Sequence, residues 1–292
     1  MRIILTVCVL LFYKTCISQQ TKSELKDIKF DIKFTDYTIS MIKGDYKSAI
    51  NQILSKKFET LSQDELYNLS CCYIKNDIVD SSLYYLNIYL NRFRINPFFA
   101  GDITFMKIWG LDEWNNLLKL AKDKYLLENI NLIHPQIEFD LQKFKGEDQS
   151  SISLDSNIFK RLHFVHITYV NEIINNREIL YKISKNGLEA ILLFVIHEKD
   201  LNIQKKYFRI FKKLANKSMV EWEEVCILED KILIKDGKKQ IYGTQWYYDL
   251  NTKKSEPYPI KNIRNIEKRR QSKKFDFSFK QYSGFQNLNI LN

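Results

Sequence analysis

A repeated segment constrains the fold of this chain more than any other feature. The stretch "MIKGDYKSAINQIL" at 41–54 aligns with "YIKNDIVDSSLYYL" at 73–86 at an offset of 32 residues, which pairs Gly44 with Asn76 and Ala49 with Ser81. Gly and Asn suit a turn in which the backbone takes a positive φ, and a small residue lets two helices approach closely. Because one such unit cannot bury its apolar face alone, the repeat predicts helix pairs stacked on one another.

The same rhythm continues beyond the two aligned segments. It runs through "LYNLSCCYIKNDIVDSSLYYLNIYLNR" at 66–92 and "NPFFAGDITFMKIWGLDEWNNLLKLAKD" at 96–123. Residues 30–128 therefore resemble the tetratricopeptide-repeat family, with about two and a half repeats. The resemblance implies a surface that binds a protein or peptide, and the alternative is a helical scaffold that packs on the rest of the chain.

The first twenty residues, "MRIILTVCVLLFYKTCISQQ", have the pattern of an export signal. Arg2 precedes an apolar run at 3–13, which is too short to cross a hydrocarbon layer of about 30 Å but suits a signal peptide. We expect residues 1–18 to be removed, leaving Gln19 first and no transmembrane span. The mature protein would then be periplasmic or part of the cell envelope; the alternative is a lipoprotein anchored at Cys16.

Composition narrows the class of protein. Only 8 Gly and 4 Pro occur in 292 residues, which favours helices with few loops. The net charge of +10 is spread along the chain with Asp and Glu interleaved, which argues against nucleic acid as a partner. Cys71, Cys72 and Cys226 would remain after signal removal and suit small core positions rather than a disulfide framework. No motif indicates a cofactor or a metal site.

The second half of the chain mixes helices with one predicted hairpin. Residues 129–156 are expected to form a connector with a short helix near 137–144, and helices are expected at 157–176 and at 188–217, the latter broken close to Lys199. Asp236-Gly237, flanked by "KILIK" and "KKQIY", predicts a two-residue hairpin turn. In that hairpin Ile232 and Ile241 would face the core. Gln240 and Tyr242 would face outward. The fold class is thus mainly α (α+β overall), with a C-terminal α+β domain at 157–292.

This domain also carries a recognisable signature. The run "LEDKILIKDGKKQIYGTQ", with "FVIHEKDLNIQKKYF" before it and "IRNIEKRR" after it, resembles an uncharacterised bacterial domain of exported proteins over about 147–282. The resemblance implies an architecture but no reaction. Departures exist, since Asp148-Gln149 is followed by Ser where the family has Arg, and Ile196 stands where Gln is usual. The family's recurring polar positions fall on His197, Gln204, Asp230, Gln240, Tyr242, Gly243, Gln245 and Arg270.

The same residues suggest a site without the resemblance. On one continuous helix His197, Gln204 and Phe208 would share a stripe, and Asp230 could orient His197 as a general base. A hydrolase would then use His197 and Asp230 as catalytic residues, with Gln204, Gln240, Tyr242, Gly243, Gln245 and Arg270 as substrate- or ligand-binding residues. The simpler interpretation is that His197 ends a helix and Asp230 pairs locally. His163 and His166 supply at most half a metal site, so no metal is predicted.

The segment "KNIRNIEKRRQSKK" at 261–274 is strongly basic. It could bind an anionic partner, or it could be a solvated final helix with Arg270 turned inward to pair with Asp230 or Glu229. Two functions follow from the sequence: a non-enzymatic binding or scaffold protein of the cell envelope, or a hydrolase-type enzyme.

Overall fold

The structure is a computed structural model that describes residues 35–151, 156–252 and 254–286. The predicted signal peptide at 1–18 and the lipoprotein alternative at Cys16 lie outside these residues. The chain divides between Phe159 and Lys160 into two compact units. We call the described residues up to Phe159 the first unit and those from Lys160 the second unit.

The first unit is built from helices joined by short connections. A pair of short 3-10 segments, Pro97–Gly101 and Ile103–Ile108, separates its fourth and fifth helices. The α-helices are α1 (Asp36–Ile42), α2 (Tyr46–Leu54), α3 (Gln63–Lys75), α4 (Val79–Arg92), α5 (Asp112–Glu128) and α6 (Pro135–Ser151).

The turn between α1 and α2 corresponds to the turn between α3 and α4 at an offset of 33 residues, one more than the 32 of the sequence alignment. Gly44 has φ +75° and its structural counterpart is Asp77 with φ +62°, whereas Asn76 ends α3 with a negative φ. The fully buried Ala49 likewise corresponds to the fully buried Ser82. The alignment was therefore wrong by one position, because Asp77 takes the left-handed conformation that Asn76 was expected to take.

Small residues let the helices of the first unit approach closely. The Ser70 hydroxyl donates to the Ser82 backbone oxygen at 2.8 Å, which joins α3 to α4. Gly101 and Gly146 meet where α6 crosses the first 3-10 segment, since a Cβ on Gly101 would lie 2.0 Å from the Lys143 backbone oxygen. The predicted connector at 129–156 thus contains a helix of 17 residues, longer than the short helix expected there.

The second unit consists of helices and one small sheet, and two short helices follow the sheet. The long helix expected at 188–217 is interrupted at 198–200, as predicted, and Asp200 caps the second piece by accepting from the Asn202 N–H at 2.7 Å. The helices are α7 (Ser156–Asn175), which begins before the division, α8 (Arg177–Leu180), α9 (Lys185–His197), α10 (Leu201–Asn216), α11 (Trp222–Lys235), α12 (Ile266–Ser272) and α13 (Phe279–Gln286).

The hairpin predicted at Asp236-Gly237 was wrong. Residues 222–235 are helical, and Gly237 ends α11 with φ +69°. The Lys238 N–H donates to the Leu233 oxygen at 2.8 Å and the Gly237 N–H to the Ile234 oxygen at 2.9 Å, which is the Schellman pattern. The alternation around Ile232 and Ile234 covers too few residues to outweigh the helical spacing of the whole segment, whose buried positions include Val225, Cys226, Leu228 and Ile232.

An antiparallel pair of strands does form, but further along the chain. Strand β1 (Trp246–Asp249) pairs with β2 (Lys254–Pro257), with Trp246 opposite Pro257 and Asp249 opposite Lys254. The protein is therefore mainly α with one small antiparallel sheet, as the sequence predicted. No helix among the described residues has the length and apolar character needed to cross a membrane. The three described cysteines are free and buried, which confirms their predicted core positions.

Candidate functional site

The carboxylate of Asp230 is the centre of a polar network in the second unit. Asp230 lies on α11 and its side chain is fully buried. Its oxygens accept from the backbone N–H groups of Ile241, Tyr242 and Thr244 at 2.6 to 3.1 Å, and from the Thr244 hydroxyl at 3.0 Å. Burial raises the pKa of Asp230, while the hydrogen bonds from these residues lower it in part. The carboxylate thus holds the loop 240–245 that follows α11.

Two arginines donate hydrogen bonds to backbone oxygens of the same loop. The Arg269 Nε donates to the Ile241 oxygen at 2.8 Å, and the Arg270 Nη1 donates to the Tyr242 oxygen at 2.9 Å. Arg270 is 1% exposed and also donates to the Phe277 oxygen at 2.9 Å. Its guanidinium carbon lies 4.1 Å from the centre of the Phe275 ring. Arg270 does turn inward, but it binds backbone oxygens and aromatic rings rather than forming a salt bridge with the predicted partners Asp230 or Glu229.

The two glutamines of the signature close the loop on the sheet. Gln240 is fully buried, contrary to its predicted outward position. Its amide donates to the Gln245 and Tyr258 oxygens at 2.9 and 2.7 Å and accepts from the Gln245 N–H at 2.9 Å. The Gln245 side chain donates to the Thr244 hydroxyl at 3.2 Å. Gln240 and Tyr242 were expected on the outer face of a strand, and both are buried because the chain leaves α11 at Gly237 and forms a loop instead.

Gly243 is required by its conformation and by its surroundings. It has φ +71°, and a Cβ at this position would lie 2.6 Å from the Phe279 ring and 2.8 Å from Ile266. Its oxygen accepts from the Trp246 indole at 3.1 Å, which links the loop to β1. The Tyr-Gly-Thr segment is therefore a packed turn rather than an open cradle.

A second group of titratable side chains lies beside this loop. Burial raises the pKa of Cys226 to about 12, and burial also raises the pKa of Glu229 and of Tyr242. The Tyr242 ring stacks on Phe275 with ring centres 5.8 Å apart. A buried thiol with a raised pKa remains protonated near neutral pH, so Cys226 has the properties of a core residue.

Gln204 belongs to a different network, at the end of α9. Gln204 is fully buried and its amide donates to the Val195 and Ile196 oxygens at 3.1 and 3.0 Å. The Lys235 ammonium donates to the Gln204 amide oxygen at 2.9 Å and to the Glu198 oxygen at 3.0 Å. These bonds satisfy carbonyl groups that a helix end leaves without intrahelical partners. His197 is the last residue of α9, and because α10 is a separate helix the predicted common stripe with Gln204 does not exist.

The structure therefore divides the predicted site residues between two places. Asp230, Gln240, Tyr242, Gly243, Gln245 and Arg270 converge on the loop 240–245, whereas His197 and Gln204 lie at the end of α9. Within the described part of the chain, the hydrogen bonds of Asp230 go to 241–244 and none goes to His197. A general base oriented by Asp230 would need such a bond, so the catalytic pair stays a hypothesis without a geometric basis.

Metal binding has no geometric support in the residues that the structure describes. His163 is buried on α7, with its Nε2 atom 3.7 Å from a Glu198 carboxylate oxygen. His166 is buried on the same helix and its ring lies 5.2 Å from that of Phe194. No group of three or more His, Cys, Asp or Glu side chains suited to a metal ion occurs in 35–151, 156–252 or 254–286.

The first unit carries a cluster of three tyrosines on α3 and α4, of which Tyr84 is exposed while Tyr73 and Tyr85 are half-buried. The Tyr73 and Tyr85 rings stack with centres 5.3 Å apart, and Tyr84 meets Tyr85 edge-on at 5.2 Å. Tyr84 is 58% exposed. Tyrosine is enriched at protein interfaces because it combines a large apolar area with a hydroxyl and few rotatable bonds. We call these three residues the tyrosine cluster.

Several residues of these networks were missed from the sequence. Lys235, Arg269 and Thr244 each bind groups that are distant along the chain or hidden in a turn. For Arg269 the sequence did contain a signal, the adjacent Arg-Arg pair in the basic segment at 261–274, but only Arg270 of that pair was expected to turn inward. The other two look like ordinary surface residues until the loop is folded.

No protein-family model, curated protein or solved structure matches this chain. The likeness of its N-terminal half to tetratricopeptide repeats, and of its C-terminal half to an uncharacterised bacterial domain, therefore stays a prediction from sequence.

Proposed function

We propose that this is an exported, non-enzymatic binding or scaffold protein of the cell envelope, which binds a protein or peptide through its first unit. The observation that carries the proposal is the tyrosine cluster, because Tyr84 is 58% exposed while its neighbour Tyr85 is stacked on Tyr73. A supported but exposed aromatic group can be buried by a partner at low entropic cost.

The second unit adds support of a different kind. The polar residues of its signature are engaged with backbone groups of the same chain, as the bonds of Asp230 and Arg270 illustrate. A hydrolase would need some of these groups directed toward a substrate, so their internal use favours a stable folded domain over a catalytic one.

A two-stage experiment tests the binding proposal. A photo-crosslinking amino acid replaces Tyr84 in cells, the crosslinked protein is identified, and that protein is then purified for affinity measurements. Tyr84→Ala should weaken binding about tenfold or more, as expected for an exposed interface tyrosine. Tyr181→Ala is the matched control, because Tyr181 is also exposed but lies in the second unit.

Equal affinities for the wild type and Tyr84→Ala would contradict the proposal. So would a crosslinking pattern at Tyr84 identical to the one obtained from position 181. In either case the tyrosine cluster would be an ordinary solvated surface.

Export is tested separately on the mature protein. Its N-terminus should begin at Gln19, as determined by sequencing and intact mass. A lipid-modified N-terminal Cys16 would instead support the lipoprotein alternative, and an unprocessed Met1 would contradict export.

A further inference from the structure

Helix α10 has an unusual distribution of charge. Residues 201–217 contain six basic side chains and no acidic one: Lys205, Lys206, Arg209, Lys212, Lys213 and Lys217. The opposite side of the helix is buried through Tyr207, Phe211 and Leu214. Lys206, Arg209, Lys213 and Lys217 recur at helical spacing and all four are exposed, so they form one outer row that we call the cationic face.

In the described part of the chain, the cations of the cationic face lack salt-bridged carboxylates. Lys205, next to the row, pairs with Asp236 at 2.7 Å. Among the residues that the structure describes, none of the four members of the face forms such a salt bridge. Two of the four contact neutral groups: the Lys206 ammonium lies 3.5 Å from the Asn175 side-chain oxygen, and the Lys217 ammonium lies 4.6 Å from the centre of the Tyr181 ring.

This arrangement opposes the stability of the helix. Like charges three or four residues apart on a helix repel each other, as Lys206 and Arg209 do, and as Arg209 and Lys213 do. The helix dipole favours a cation at Lys213 in the last turn, but it does not relieve the repulsion between neighbouring members of the row. Helix α5 is a contrast within the same chain, since its Lys119, Lys122 and Lys124 are interleaved with Asp112, Glu113, Asp123 and Glu128. The fold of the second unit therefore does not need the cationic face.

We propose that the cationic face binds the phosphate headgroups of an anionic phospholipid surface. Its cations lie in one row of about 16 Å along α10 and its C-cap residue Lys217, and such a row can approach a plane of charge with all members engaged. Because the apolar side of α10 is buried in the protein core, the attachment is electrostatic and does not insert into the bilayer.

The geometry favours a lipid surface over a single-stranded nucleic acid. Single-stranded nucleic acids are bound by cations together with open aromatic faces on which bases stack. The Lys217 ammonium lies over the Tyr181 ring, and the Tyr207 ring next to Lys206 is buried, so neither offers an open stacking face beside the row. The inference is independent of the proposed partner of the first unit, because it rests on residues of the second unit alone.

The test measures sedimentation of the full-length mature protein with lipid vesicles. Binding is expected to vesicles of phosphatidylcholine mixed with phosphatidylglycerol and not to pure phosphatidylcholine vesicles. Each cation near an anionic surface contributes about fivefold to the partition coefficient, so Lys206→Gln/Arg209→Gln/Lys213→Gln should reduce it by roughly 100-fold. The corresponding triple Glu variant should reduce it further, and added salt should weaken wild-type binding steeply.

The control removes the same charge elsewhere. Lys47, Lys75 and Lys119 are exposed residues of the first unit, and their triple Gln variant should lose at most a few-fold. Circular dichroism and thermal melting establish whether each variant is folded. If the triple Glu variant is unfolded, the triple Gln variant of α10 decides the question.

Three outcomes would overturn the proposal. The first is no wild-type binding to anionic vesicles at low salt. The second is an equal loss in the two triple Gln variants, which would indicate diffuse attraction by net charge. The third is tighter binding to a single-stranded oligonucleotide than to vesicles, abolished by the same α10 substitutions, which would assign the face to nucleic acid.

Discussion

The loop 240–245 and the cationic face of α10 are both polar, and they use their polar groups in opposite ways. In the loop, backbone N–H groups bind Asp230, backbone oxygens bind Arg269 and Arg270, and the two glutamines bind each other. On α10 the four cations extend into solvent without a carboxylate partner among the described residues. The polar groups of the loop are hydrogen-bonded within the chain, whereas the cations of the helix face can bind an external anion.

The comparison shows that a conspicuous sequence motif need not be a site. "QIYGTQ" combines Gly, Thr and two Gln in six residues, yet these groups anchor a turn beneath α12 and α13. The cations of α10 form no motif, because lysines at helical spacing are common in any helix. The loop and the helix face differ in whether the fold supplies hydrogen-bond or salt-bridge partners for their polar groups, and this depends on tertiary contacts.

The largest effect is expected from Asp230→Ala. This change leaves the N–H groups of Ile241, Tyr242 and Thr244 without their acceptor. It also removes one of the negative charges that stabilise the buried Arg270 cation. The free energy of unfolding of the second unit should fall by about 3 to 5 kcal/mol, or the unit should not fold. Urea unfolding followed by tryptophan fluorescence measures it, and a loss below about 1 kcal/mol would show that the loop is not held by this carboxylate.

Gly243→Ala should have the next largest effect. It places a Cβ in a left-handed residue and against Phe279 and Ile266, so we expect a loss of about 2 to 4 kcal/mol. Gly237→Ala is the matched control, because Gly237 has a similar φ of +69° but no atom within 4 Å of its Cβ position. It should cost only about 1 kcal/mol. Equal losses in the two variants would mean that packing around Gly243 is unimportant.

A smaller, pH-dependent effect is expected from Glu229→Gln. Burial raises the pKa of Glu229 above its ordinary value of 4.5, so its ionisation costs stability as the pH rises through the folded-state pKa. The variant should be more stable than the wild type near neutral pH by about 1 kcal/mol or less, and the difference should disappear below pH 4.5. Urea unfolding at several pH values measures it. A wild type that is more stable at neutral pH would contradict the raised pKa.

The smallest effect on stability is expected on the cationic face itself. Lys206→Gln/Arg209→Gln/Lys213→Gln removes like-charge repulsion and no internal contact of comparable strength, so the free energy of unfolding should change by about 0.5 kcal/mol or less, or rise. Urea unfolding under the conditions used for Asp230→Ala provides the direct comparison. A loss of more than about 2 kcal/mol would show that these cations are structural and would remove the contrast with the loop.

Local patterns accounted for much of the fold. The predicted break close to Lys199 is confirmed by the interruption at 198–200, and the prediction of the cysteines as small core residues is confirmed by their burial. The hairpin prediction for residues 229–245 was wrong because Asp236-Gly237 is compatible both with a hairpin turn and with a helix C-terminus. In both structures Gly takes a positive φ. Which one forms depends on the residues before it, and the helical spacing from Val225 onward is the stronger signal.

The sequence by itself determined the mainly helical class, the repeated helix pairs and several of the polar residues around the second unit's loop, although Arg269 and Thr244 were missed. It could not decide what those residues bind. Asp230 reaches backbone N–H groups 11 to 14 positions later, and Arg270 reaches an oxygen 28 positions earlier. Such bonds form only after α11, the loop and α12 are packed together, because burial gives each polar group a strong need for whichever partner the packing brings near.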